Sequence, residues 1–99
     1  MYDNLADTVR WVSPGRPPTE GKADVVAACE SAAAEFAQLA GTEVLRFVSV
    51  ADDDVAAVDA TIRYKRPDGS SSTVSSADIY EFDAAGRLTT VTSYAVELT

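Results

Sequence analysis

Ninety-nine residues, 46% of them hydrophobic, suffice for one domain with a modest core and leave no room for two. Sixteen acidic against eight basic side chains give a net charge of −8, which argues against nucleic acid and against an anionic membrane as partners. A single cysteine, Cys29, and the lack of any histidine exclude an intrachain disulfide, zinc sites of the Cys/His type and every catalytic triad with a histidine base.

No apolar run approaches the roughly 20 residues of a membrane span. No charged-then-apolar leader opens the chain, so a cytoplasmic setting is expected. Met1 to Ala6 reads as the end of a short helix and Asp7 to Ser13 as a short strand. Pro14-Gly15-Arg16-Pro17-Pro18 continues neither element, because proline fixes φ and lacks a donor. A helix is predicted over Lys22 to Ala40. Val25, Cys29, Ala32, Phe36 and Leu39 make one apolar stripe, with Asp24 suiting the dipole in the first turn and Gly41 placed to stop the helix. Cys29, on that stripe with no basic neighbour in sequence, reads as a core residue.

Everything after Gly41 reads as strand. Glu43 to Val50 ends in the turn Ala51-Asp52-Asp53-Asp54, a solvated acidic run without the spacing of a calcium loop, and no metal site is expected. Val55 to Lys65 follows, then the turn Pro67-Asp68-Gly69. Ser72 to Asp83 and Arg87 to Leu98 are the last strands, joined by Ala84-Ala85-Gly86. Long strands with short turns predict an antiparallel meander under one helix, an α+β fold. In the first of these strands Arg46 alternates with Val44, Val48 and Val50, while Leu45 and Phe47 face the other way. An arginine there makes a cross-strand or interface ion pair more often than it binds a ligand carboxylate.

The segment Ser76 to Tyr94 carries the chemistry. Val74, Ser76, Asp78, Tyr80 and Phe82 share one pleat face, so a carboxylate stands among apolar side chains. Such a group is desolvated, hydrogen-bonded or lining a cavity. Asp78 is therefore the candidate catalytic residue, with a structural acid paired to an arginine or a tyrosine hydroxyl as the plain alternative. Tyr80 and Tyr94 are candidate pocket walls, each with a broad apolar face and one hydroxyl. Trp11 is a candidate cap of the pocket mouth, and Phe36 on the helix stripe a further ligand-facing candidate. No cofactor is expected.

Two passages, LADTVRWVSPGRPPTEGKADVVAAC and ADIYEFDAAGRLTTVTSY, resemble the SnoaL-like branch of the NTF2-like superfamily, which includes ketosteroid isomerases. The resemblance runs over roughly Leu5 to Val96. It implies an NTF2-like (cystatin-like) cone: one main helix on a strongly curved antiparallel sheet around an apolar pocket, with residues 1–99 a single domain lacking most of the family's N-terminal helical region. The isomerases' oxyanion-donating tyrosine lies on that missing helix. Their general-base aspartate would fall near Trp11, Val12 or Ser13, where no acid stands. Their hydrogen-bond-donating acid matches Asp78. The Arg-x-Asp pair of the hydrolases is absent, because Ser76 occupies the arginine's place.

These features lead to an expected function. The domain binds a small apolar molecule bearing a carbonyl or hydroxyl and, where catalytic, carries out isomerase- or cyclase-type proton transfer. Asp78 serves as acid or hydrogen-bond donor, with Tyr80 or Tyr94 in support. A homodimer is expected, since a pocket hollowed from so small a core weakens the lone chain. The alternative is a non-catalytic dimerisation or protein-docking domain of the same fold, testable by a charge placed at Phe47 or Val91.

Overall fold

The computed structural model describes residues 2–98. Its elements are β1 (Leu5–Val12), β2 (Thr19–Glu20), α1 (Lys22–Phe36), β3 (Gly41–Ala51), β4 (Val55–Lys65), β5 (Ser71–Phe82) and β6 (Leu88–Glu97). The six strands form one sheet in the order β2-β1-β6-β5-β4-β3. From β3 to β6 it is the antiparallel meander expected, but β1 joins it parallel to β6. This α+β arrangement of one helix on a mixed sheet is the NTF2-like fold.

The helix expected over Met1 to Ala6 is not formed in its described part. The Leu5 N–H closes a turn onto the Tyr2 carbonyl, and Leu5 then pairs with Leu88 while the Leu88 N–H donates to the Asn4 carbonyl at 2.7 Å. The last strand thus draws the first into the sheet, a pairing across the whole chain that outweighs local preference. Among the described residues no helix precedes β1, and none is long and apolar enough to cross a membrane.

The helix α1 starts at Gly21, whose φ of 88° lies in the left-handed region open to glycine. The Gly21 N–H donates to the Val9 carbonyl at 2.8 Å, which ties the helix start to β1. Val25 is buried against the sheet, as is Val9, whose exposure is 0%. The stripe then emerges: Cys29 is half-buried, and Phe36 is 55% exposed. The helix ends at Phe36 rather than Ala40. Gln38 and Leu39 make three-residue turns, and the Ala40 N–H is taken by the Lys65 carbonyl at 2.8 Å. Gly41 opens β3 opposite Lys65, so ladder pairing, not a glycine cap, stops the helix.

Register shifts bend the sheet at three places: between Leu5 and Arg10, between Val44 and Arg46, and between Glu81 and Phe82. The second corrects the face expected for Val44 and leaves Arg46 with Val48 and Val50 as expected. Leu45 is the extra residue, so Val44 shares a face with Phe47, and Arg46 lies opposite Thr61 on the other side with Val48 and Val50. There Arg46 pairs with Asp59 at 3.1 Å and Arg63 with Glu43 at 2.8 Å.

Candidate functional site

Between α1 and the middle of the sheet lies a cavity of about 320 Å³, at the low end of the size range of small-molecule sites. Its walls are mostly apolar: Leu5 and Trp11 from β1, Val25 and Cys29 from α1, Leu88 and Val91 from β6. Four polar side chains line it as well: Asp78 and Tyr80 from β5, Ser93 from β6, and Tyr2 ahead of β1. Alternation explains the β5 pair, two residues apart on one strand. The ladder adds the rest, placing Ser93 opposite Asp78 and Val91 opposite Tyr80, with Trp11 beside Val91 on the far side.

Asp78 is the only charged residue among the described residues of these walls. The ion pairs of the described residues engage Glu20, Asp59 and Glu43, and none reaches Asp78. No described residue donates a hydrogen bond to its carboxylate either, and neither oxygen is sealed from solvent. The structural role expected as its alternative, an acid held by an arginine or a tyrosine hydroxyl, therefore has no partner here. Beside it, burial and then the charge of Asp78 push the Tyr80 phenol above the ordinary tyrosine range. The phenol remains a hydrogen-bond donor throughout the physiological range.

The sign of that shift makes a test. Both folded and unfolded chains keep the phenol protonated below pH 10 or so. Above it the unfolded chain ionises first, and the contribution of Tyr80 to stability is lost as pH rises through its raised value. In an ultraviolet pH titration, one tyrosine is expected to ionise late, to disappear in Tyr80→Phe and to ionise earlier in Asp78→Asn. A Tyr80 signal unmoved by Asp78→Asn would separate the two groups.

Of the residues singled out in the sequence, the structure brings Trp11, Asp78 and Tyr80 together and leaves two elsewhere. Phe36 stacks on Tyr64 with ring centroids 5.6 Å apart, at the helix end beyond the cavity. Tyr94, 53% exposed, stands opposite Ala77 on the outer face. The reason is the shift between Glu81 and Phe82. A ladder continued evenly from the Phe82–Leu88 pair would set Thr92 opposite Asp78 and turn Tyr94 inward; the extra residue makes it Ser93. Cys29 lines the cavity instead of lying in the core. Phe47 lies on the helix side of the sheet and Val91 on the cavity wall, so neither tests the outer face. Ser93 carried no signal in the sequence, since a serine in a strand gains meaning only from its neighbour across the ladder.

The family model described as SnoaL-like domain matches residues 1–91. An NTF2-like protein of unknown function from Cytophaga hutchinsonii is 25% identical, with a TM-score of 0.77 over 96% of this chain and 81% of that one. A candidate SnoaL-like polyketide cyclase from Jannaschia sp. CCS1 is 15% identical, with a TM-score of 0.71 over 94% and 67%. TerC, co-crystallised with polyporic acid, is 18% identical, with a TM-score of 0.61 over 91% and 72%. The last two similarities show the fold alone. Among curated proteins, none matches this sequence.

Proposed function

The chain belongs to the SnoaL-like domain family, and from that premise we propose that its cavity binds a small apolar molecule bearing a carbonyl or hydroxyl group. The observation that carries this reading is the unpartnered carboxylate of Asp78 on an otherwise apolar wall. Its oxygens reach solvent, so the folded chain leaves this acceptor to water that a ligand can displace. A ligand supplies the partner. TerC, crystallised with polyporic acid, and the candidate polyketide cyclase support a small organic ligand for this fold.

The same constellation has the parts for proton transfer of isomerase or cyclase type. Asp78 moves the proton, and the Tyr80 phenol, kept protonated, donates a hydrogen bond to the oxygen on which charge develops. Filling the cavity tests the binding. Val91→Trp is expected to lower the affinity for naphthalene-type probes at least about tenfold, with the far-ultraviolet dichroism unchanged. Affinity equal to that of the parent chain would sink the proposal.

A second reading, association of two copies through the outer face of the sheet, has its own observation. Val48 and Val50 on β3 and Tyr94 and Val96 on β6 are exposed on that face, with β4 and β5 between them. The charges among them occur as the pairs Arg46–Asp59 and Arg63–Glu43. A patch with charges in balance, on a chain of net −8, is one that a second copy approaches without repulsion. Tyr94→Asp is expected to halve the mass seen by light scattering while leaving probe binding intact. A parent chain that is already monomeric contradicts this reading.

A further inference from the structure

The polar wall of the cavity sets a donor and an acceptor side by side. Asp78 and Ser93 are direct cross-strand partners, and side chains so opposed lie about 5 Å apart at Cβ. Both face the cavity, yet they are not hydrogen-bonded to each other. Ser93 does not choose its role freely. The Trp11 indole N–H, a donor only, gives its proton to Ser93 Oγ at 3.1 Å. That contact occupies a lone pair of the hydroxyl and turns the single Ser93 proton away from Trp11. No side chain among the described residues accepts it.

The other half of the pair is an acceptor. A carboxylate oxygen is an acceptor, and Asp78 has no partner among the described residues. Ser93 and Asp78 therefore offer one donated and one accepted hydrogen bond from adjacent positions on the wall, a pair that a single ligand oxygen can answer. A carbonyl oxygen accepts only: it satisfies Ser93 and turns a lone pair toward the carboxylate. A hydroxyl satisfies both groups at once, accepting from Ser93 and donating to Asp78. Resting on the cavity reading above, we infer that the ligand presents a hydroxyl, as an alcohol, phenol or enol, to the Ser93–Asp78 pair, and that Trp11 positions Ser93 to receive it. The apolar walls from Leu5, Val25, Leu88 and Val91 take the ring or hydrocarbon body.

Three probes on one ring system vary the oxygen: 2-naphthol, 2-methoxynaphthalene and 2-acetonaphthone, each titrated calorimetrically into the parent chain and three variants. In the parent, 2-naphthol is expected to bind about tenfold or more tighter than the ether or the ketone, as a hydrogen bond to a charged acceptor provides. Ser93→Ala is expected to lower the affinity of all three about two- to tenfold, the range of a neutral hydrogen bond, since each presents an accepting oxygen. Trp11→Phe keeps a ring in the wall and removes the N–H, and the loss from Ser93→Ala is expected to shrink in that background. The naphthol-to-ether ratio, internal to each variant, reports donation to Asp78 and is expected to fall toward one in Asp78→Val, which a general loss of folding would not produce. A ketone bound as tightly as naphthol, or a naphthol affinity unmoved by Ser93→Ala, overturns the inference alone. Failure of all three probes to bind the parent overturns the cavity reading and the inference with it.

Discussion

Asp78→Val is expected to raise the melting temperature while removing the preference for a hydroxylated ligand. The carboxylate is half-buried among apolar walls with no cationic or hydrogen-bonding partner among the described residues. Replacing it with a β-branched residue in the middle of β5 adds apolar contact to that wall and suits the strand. The gain is about 1 kcal/mol, worth roughly 4–8 °C in a domain of this size. The same change is expected to lower naphthol affinity about ten- to hundredfold, because a hydrogen bond to a charged acceptor is lost. A residue kept at the expense of stability is one retained for what it binds. If Asp78→Val instead lowers the melting temperature, the carboxylate holds the fold together.

Val9→Ala acts on the opposite side of the ledger. Val9 is the largest fully buried side chain of the described residues, and its carbonyl receives the helix start from Gly21. Removing two methyl groups from that position is expected to destabilise by about 2–3 kcal/mol, from lost burial and the cavity left behind. That corresponds to a melting temperature lower by about 10–20 °C. Val50→Ala on the outer face, where the side chain is 65% exposed, is expected to change it by less than about 2 °C in the isolated chain. Equal losses at the two positions would mean that Val50 is buried in solution by a partner copy.

The antiparallel meander was legible because its turns are local. Asp83 shows why: its carboxylate oxygen accepts from the N–H groups of Ala85 and Arg87, both at 2.9 Å, and Gly86 supplies a φ of 81°. Helix, turns and the alternation of β5 all follow from neighbours a few residues apart. The parallel pairing of β1 with β6 does not, since it joins the two ends of the chain and leaves no mark in either. The candidate site divides along the same boundary. Asp78 and Tyr80 were visible because one strand carries both. Ser93 was hidden and Tyr94 was misplaced because one extra residue on β6, Thr89, opposite the Glu81–Phe82 step, exchanges the faces of that strand. Phe36 was read as cavity-facing because it continues the helical stripe, while the end of the helix carries it past the cavity onto Tyr64 of β4.

The most direct test of the cavity is methyl chemical-shift mapping on labelled protein titrated with 2-naphthol. The account predicts saturable shifts confined to Leu5, Val25, Leu88 and Val91, lost in Val91→Trp. Shifts at Val48, Val50 and Val96 instead, or none at saturating probe, would contradict it and leave the outer face of the sheet as the working surface of this protein.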